Sequence, residues 1–248
     1  MKIDEVIKDL NKQIFKYSFF FQRQGEKAVQ AGNCDRFSSA SIIKLPLLLA
    51  WVYLERTGEV DRGELCELDA EPQVRGAGFA YQMQARKLPY HDVLLMMIAT
   101  SDNLCTNLAI RRIGLERAQR IFRDELGLRS TELQRKLLDF KARDRGLDNW
   151  VSGEEAIRFF DLFASLTPDE KAWVEPMLLV NTDDLLLMRN IPRDELHFYH
   201  KTGSMKGVLH DWGYTRDCRI FLFTNDIQDE PAAFRLFGKA GELLISAD

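Results

Sequence analysis

Cysteine is scarce in this chain and unpatterned. Cys34, Cys66, Cys105 and Cys218 are its four cysteines, and none forms a C-x-x-C pair or stands near histidines at zinc-finger spacing. They are read as inert or buried thiols, and neither a metal nor another cofactor is expected. Charge of one sign is also missing. The net charge is -4, with Lys and Arg spread along the chain, so there is no basic stripe for nucleic acid. The longest apolar run, Leu45 to Leu54, is half of the ~20 residues a membrane span needs, and no membrane partner is expected. The opening Met1-Lys2-Ile3-Asp4-Glu5 leads into no continuous apolar stretch of the signal-peptide kind, so the expected location is the cytoplasm. Repeats, low-complexity tracts and linkers are absent.

What remains is a composition able to bury a sizeable core, 46% hydrophobic and 29% charged, in a length that suits one large domain or two interleaved subdomains. Ile3, Val6, Ile7, Leu10 and Ile14 mark one face of a first helix. Tyr17 to Gln22 reads as a strand, and Lys27 to Ala31 as its hairpin partner. A helical run starts near Ala40 and ends near Gly58, and Asp92 to Ala99 is another. Asp102 is placed to cap a helix from Asn103 to Ile113 that Gly114 ends, and Ser152 to cap one running through Phe163. Leu196 to Lys201, Asp211 to Thr215 and Arg219 to Thr224 read as short strands. Asp229 and Pro231 then open a last helix, with Phe234, Phe237 and Leu244 inward. This order predicts an α/β fold. Both chain ends build one antiparallel sheet flanked by helices (1–36 and 183–248), and the middle (37–182) forms an all-helical subdomain.

Three short motifs could carry chemistry. In Ser41-Ile42-Ile43-Lys44, residues three apart share a helix face. A desolvated lysine beside a hydroxyl can take its proton, and Lys44 interrupts an otherwise apolar run. A snorkelling lysine at a helix start would give the same letters. In Ser101-Asp102-Asn103, Ser101 could relay a proton to a leaving group and Asn103 could hold a substrate amide, although an ordinary helix cap reads alike. Lys201-Thr202-Gly203 is expected to close an edge strand that can pair with an extended substrate. Lys201 and Thr202 would grip a carboxylate, and Gly203 permits close backbone approach. The N–H of Ser204 could join that of Ser41 in an oxyanion hole. A plain strand end is the alternative.

In this order and separation, SxxK, SDN and KTG resemble the signature of class A β-lactamases and penicillin-binding proteins. The resemblance runs from about Tyr17 to the end. Phe37-Ser38-Ser39-Ala40 before the serine, Asn107 six residues after Ser101 and the strand after Val208 also match. It implies a β-lactamase/transpeptidase-like fold and serine acyl transfer on a small-molecule or peptide-like amide or ester. Ser41 is then the nucleophile and Lys44 its base. Ser101 and Lys201 handle the leaving-group proton, and Asn103, Thr202, Gly203 and Ser204 bind substrate. A carboxylesterase or peptidase on the same scaffold, or a non-hydrolytic penicillin-binding sensor, are the rival readings.

The family pattern breaks in one place. Class A enzymes activate their deacylating water with a loop glutamate. Aligning Thr131, Leu133 and Arg135 with that loop puts Leu137 at the glutamate's position. Glu132 and Asp139 are nearby carboxylates that could substitute if the loop is rebuilt, and each is otherwise read as a solvated or structural charge. Slow release of the acyl group is therefore expected. Of the four histidines, His197 and His200 are expected on opposite sides of a strand, which argues against a shared metal. His210 is read as structural and Trp212 as packing.

Overall fold

The two ends of the chain meet in one five-stranded antiparallel sheet in the computed structural model, which describes residues 3–246. Met1 and Lys2, where the signal-peptide reading and the expected α/β part both began, lie outside the described residues, as do Ala247 and Asp248 at its other end. Helix α1 (Ile3–Asn11) and strands β1 (Lys16–Arg23), β2 (Val29–Gly32) and β3 (Arg36–Ser38) lead into a 3₁₀ turn at Ala40–Ile43 and helix α2 (Lys44–Arg56). Strands β4 (Leu65–Glu67) and β5 (Lys87–Pro89) precede helices α3 (Tyr90–Ala99), α4 (Asn103–Ile113), α5 (Leu115–Asp124) and α6 (Phe140–Asp144). Strand β6 (Trp150–Ser152) and helices α7 (Gly153–Ala164) and α8 (Pro168–Leu179) follow. Strands β7 (Tyr199–Met205), β8 (Val208–Tyr214) and β9 (Cys218–Asn225) and helix α9 (Glu230–Gly241) complete the order. The sheet runs β2-β1-β9-β8-β7, so β7 is an edge. No helix among the described residues is long and apolar enough to cross a membrane.

Side chains alternate across a strand, so a run that is apolar at every position needs cover on both faces. Phe19, Phe20 and Phe21 on β1 are such a run. Phe20 joins Trp212, Phe221 and Phe223 in a core shared with the helical middle of the chain. Phe19 and Phe21 point the other way and join Leu209, Ile220 and Leu222 beneath α1 and α9. Trp212 is the keystone of the first core. Its ring stacks on Phe160 at 4.5 Å and touches Phe163 at 5.3 Å, and its Nε1 donates to the Ala156 carbonyl at 2.9 Å. The helix starts are capped where their residues suggested. Asp102, Ser152 and Asp229 accept from the backbone N–H groups of Cys105, Glu155 and Ala232.

Several boundaries differ from the sequence reading. Strand β7 is Tyr199–Met205, not Leu196–Lys201, so the KTG motif lies inside the strand and does not close it. The pairing of Gly203 with His210 and of Ser204 with Leu209 carries the ladder past the glycine. His197 precedes the strand, so the expected alternation with His200 does not apply. The first hairpin partner is Val29–Gly32, not Lys27–Ala31. Ile14 lies beyond the end of α1 and is 83% exposed, so the apolar face stops at Leu10. The short pairs β3–β6 and β4–β5 were not foreseen, because three-residue strands carry too little alternation to read.

Truncating Trp212 to alanine should cost about 3–5 kcal/mol by leaving a cavity among Phe159, Phe160 and Phe163. Equilibrium urea unfolding measures this, and a loss below about 1 kcal/mol would show that the cluster can collapse around the gap.

Candidate active site

The turn before α2 brings the first motif together. Ser41 sits in a 3₁₀ turn and Lys44 opens the α-helix that continues it. Residues three apart eclipse each other in a 3₁₀ turn, which aligns the two side chains more closely than an α-helix would. Lys44 Nζ lies 3.0 Å from Ser41 Oγ. It also lies 2.9 Å from Ser101 Oγ, 2.6 Å from the Ser101 carbonyl and 3.2 Å from Asn103 Oδ1. Four neutral oxygens thus surround a fully buried amine, and among the described residues no carboxylate forms an ion pair with it. Burial pushes the Lys44 pKa well below the ordinary lysine value, with the charge of Lys201 acting the same way and Asp102 against it.

Both serines are presented by backbone in the left-handed region. Ala40, just before Ser41, has φ 43° and Ser101 has φ 56°. Such conformations cost non-glycine residues of order 1–3 kcal/mol and persist only where surroundings enforce them. Here Ser39 N–H donates to the Asn149 carbonyl at 2.8 Å, and Asp102 N–H to the Met96 carbonyl at 3.0 Å. The two carboxylate oxygens of Asp102 accept from Cys105 N–H at 2.9 Å and Ala80 N–H at 2.8 Å, which pins the segment above α4. Asn103 is turned inward. Its Oδ1 faces Lys44, and its Nδ2 donates to the Arg75 carbonyl at 3.3 Å.

The third motif arrives from the sheet edge. A Cβ at Gly203 would stand 3.0 Å from the backbone N of Ser41 and 3.1 Å from that of Ile42, so glycine lets β7 close on the Ser41 turn. Lys201 is fully buried, and its Nζ donates to the Thr202 carbonyl at 2.9 Å. Burial lowers its pKa to about 8, against the opposing charges of Asp183 and Asp211. Thr202 is buried and Ser204 exposed. The structure therefore joins Ser41, Lys44, Ser101 and Asn103 in one hydrogen-bonded cluster and packs the Lys201–Ser204 strand beside it. A cavity of about 750 Å³ opens elsewhere, beside Tyr199, Tyr214, Lys171 and Arg216.

Leu137 lies in a loop fastened at several points. Its N–H donates to Asn107 Oδ1 at 2.8 Å, and its carbonyl accepts from Asn107 Nδ2 at 3.1 Å. Arg135 pairs with Asp148 at 2.5 Å, and Asn149 Oδ1 accepts the N–H groups of Gln134 and Arg135. Glu132 is bound to Arg36 at 3.1 Å and to Gln134, while Asp139 is exposed and caps α6 through Ala142 N–H. Both carboxylates thus have structural partners. Sequence reasoning missed Asp148 and Asn149. Asn149 bonds both to this loop and to the turn before Ser41, and nothing in its local sequence marks that double role. His210 is structural, its Nε2 lying 2.8 Å from the Ser38 carbonyl and its Nδ1 accepting Thr224 N–H at 3.1 Å. No group of three or more potential metal ligands occurs among the described residues.

Comparison with known proteins gives the family and the fold. The β-lactamase enzyme family matches residues 2–247, and the chain belongs to that family. It is a serine hydrolase of the β-lactamase type. Among solved structures it resembles a β-lactamase from Sphaerobacter thermophilus (21% identity, 96% of this chain and 94% of that one, TM-score 0.84). It also resembles PBP-A (20%, 97% and 92%, TM-score 0.84). A leucine-to-glutamate mutant of PBP-A, solved as an acyl-enzyme complex with penicillin G, is similar too (19%, 97% and 93%, TM-score 0.84). These low identities establish a shared fold. No curated protein sequence matches significantly.

Replacing Asn107 by alanine should leave the buried N–H and carbonyl of Leu137 unpaired, at about 1–3 kcal/mol for each. Amide exchange across residues 134–140 should rise with it. Unchanged exchange in that loop would show that Arg135–Asp148 and Asn149 suffice to hold it.

Proposed function

We propose that this protein acylates itself on Ser41 with β-lactam or related amide and ester substrates and releases the acyl group slowly. The observation that carries the reading is the 3.0 Å approach of the buried Lys44 amine to Ser41 Oγ. Neutral Lys44 takes the hydroxyl proton as Ser41 Oγ attacks the carbonyl carbon. The N–H groups of Ser41 and Ser204 receive the oxyanion. The amide nitrogen then leaves with a proton passed through Ser101 and Lys201, and an ester to Ser41 remains. Lys201 and Thr202 contact a substrate carboxylate, Gly203 keeps the strand close, Asn103 orients the Lys44 side of the cleft, and β7 offers its free edge to an extended substrate. Four free thiols fit a reducing compartment, and we place the protein in the cytoplasm.

Deacylation requires a base that activates water against this ester. Leu137 offers an isobutyl group, and Glu132 and Asp139 are committed to Arg36 and to the start of α6. Loss of a general base slows the assisted step by about 100- to 10,000-fold. The penicillin G acyl-enzyme of the PBP-A mutant supports a β-lactam as the probe. With a chromogenic β-lactam, rapid mixing should give a burst equal to the enzyme concentration and then a slow phase. Intact mass should show one adduct, absent in Ser41→Ala. Leu137→Glu should speed the slow phase. An adduct that persists in Ser41→Ala removes Ser41 from the mechanism, and rapid steady turnover without a burst overturns the slow-release reading.

A further inference from the structure

The strand that carries Lys201, Thr202 and Gly203 is an edge strand, so within the sheet only β8 holds its register. Beside the motif, on the face where Phe198 and Leu187 pack, lies a buried pair that the acyl-transfer steps do not use. His200 Nδ1 stands 3.1 Å from Asp211 Oδ1, and the two residues are 2% and 0% exposed. The second carboxylate oxygen, Asp211 Oδ2, accepts the backbone N–H of Leu187 at 3.0 Å. The His200 carbonyl accepts from Asn181 Nδ2 at 3.1 Å, and Arg193 donates to the Asn181 carbonyl at 2.6 Å. Phe198 stacks on the imidazole at 4.7 Å. Gly213, opposite His200 in the register, leaves the room for it. A Cβ there would lie 2.5 Å from His200 Cβ and 2.6 Å from Phe198 Cζ.

Asp211 therefore ties together three pieces of chain: its own strand β8, the edge strand through His200, and the connection that feeds β7 through Leu187. We propose that His200 and Asp211 are positioning residues that hold the Lys201–Gly203 segment against the Ser41 turn. Asp211 pairs with Thr202 across the ladder, so its side chain shares the face of Thr202 and His200, and Lys201 lies on the other face with Trp212.

The positioning role does not rest on the acyl-transfer reading. Asp211→Asn keeps the shape of the side chain, His200→Asn keeps an N–H donor close to the place of Nδ1, and His200→Phe removes the donor. Amide hydrogen exchange over residues 199–205, with residues 16–23 as internal reference, reads position without any substrate. Acylation by a fluorescent penicillin reads the consequence at Ser41. Asp211→Asn and His200→Phe should exchange β7 amides on the order of tenfold faster, with β1 unchanged, and acylate on the order of 10- to 100-fold slower. His200→Asn should keep most of both properties. Exchange that is unchanged in β7, or raised equally in β1 and β7, overturns the positioning role. Absence of acylation in the unmodified protein refutes the acyl-transfer reading, while the exchange measurement still decides the positioning role.

Discussion

A lysine amine held out of water among neutral oxygens is the constraint on which the site depends. Lys44 touches Ser41 Oγ, both oxygens of Ser101 and Asn103 Oδ1, so it joins the turn before α2 to the segment before α4. A buried ammonium without a carboxylate partner is costly, and the remedy open to lysine is to become neutral. The strain on either side fits this account. Ala40 and Ser101 adopt left-handed backbone, which the surrounding hydrogen bonds enforce and which aims both serines at one nitrogen. The protein thus spends stability at this point and recovers it in the two cores on either side of the sheet.

The sheet supplies the third wall of the site. Its edge strand closes on Ser41 because residue 203 has no side chain, and the strand stays in place because the residues beside and behind it are buried. Trp212, opposite Lys201 in the register, packs into the helical core, while Asp211, opposite Thr202, faces the core beneath α1 and α9. The alternation of the strand therefore anchors the KTG segment from both faces at once. The loop bearing Leu137 is fixed as firmly, by side-chain bonds to its backbone from Asn107 and Asn149 and by the Arg135–Asp148 pair. Glu132 and Asp139 beside it are held by partners of their own, Arg36 and the start of α6.

Much of this was legible in the sequence, for physical reasons that differ from part to part. Helix caps were read correctly at Asp102, Ser152 and Asp229 because a capping side chain acts within three residues of itself. The α/β architecture followed from strands at both ends around a helical middle. The three motifs were found as letters, but the direct link from Lys44 to Ser101 and Asn103 joins residues 57 and 59 positions apart, and no local pattern carries it. Strand β7 was placed too early because Gly203 and Ser204 look like a turn, and only their pairing with β8 extends the strand. Ile14 continued the helical period but lay beyond the helix end. Asn149, Asp148 and the His200–Asp211 pair stayed invisible because each depends on contacts that only the folded chain makes.

The proposed acylation of Ser41 turns on the proton of Lys44. With lysine side-chain nitrogens labelled with ¹⁵N, NMR can follow the Nζ resonance of Lys44 across pH, assigned by its loss in Lys44→Met. Lys44 should lose its proton well below the ordinary lysine range, and the rate of Ser41 acylation should rise over the same interval. A Lys44 resonance that stays that of an ammonium to about pH 10, near an unperturbed lysine, would contradict this. Proton removal from Ser41 at neutral pH would then have to come from another group.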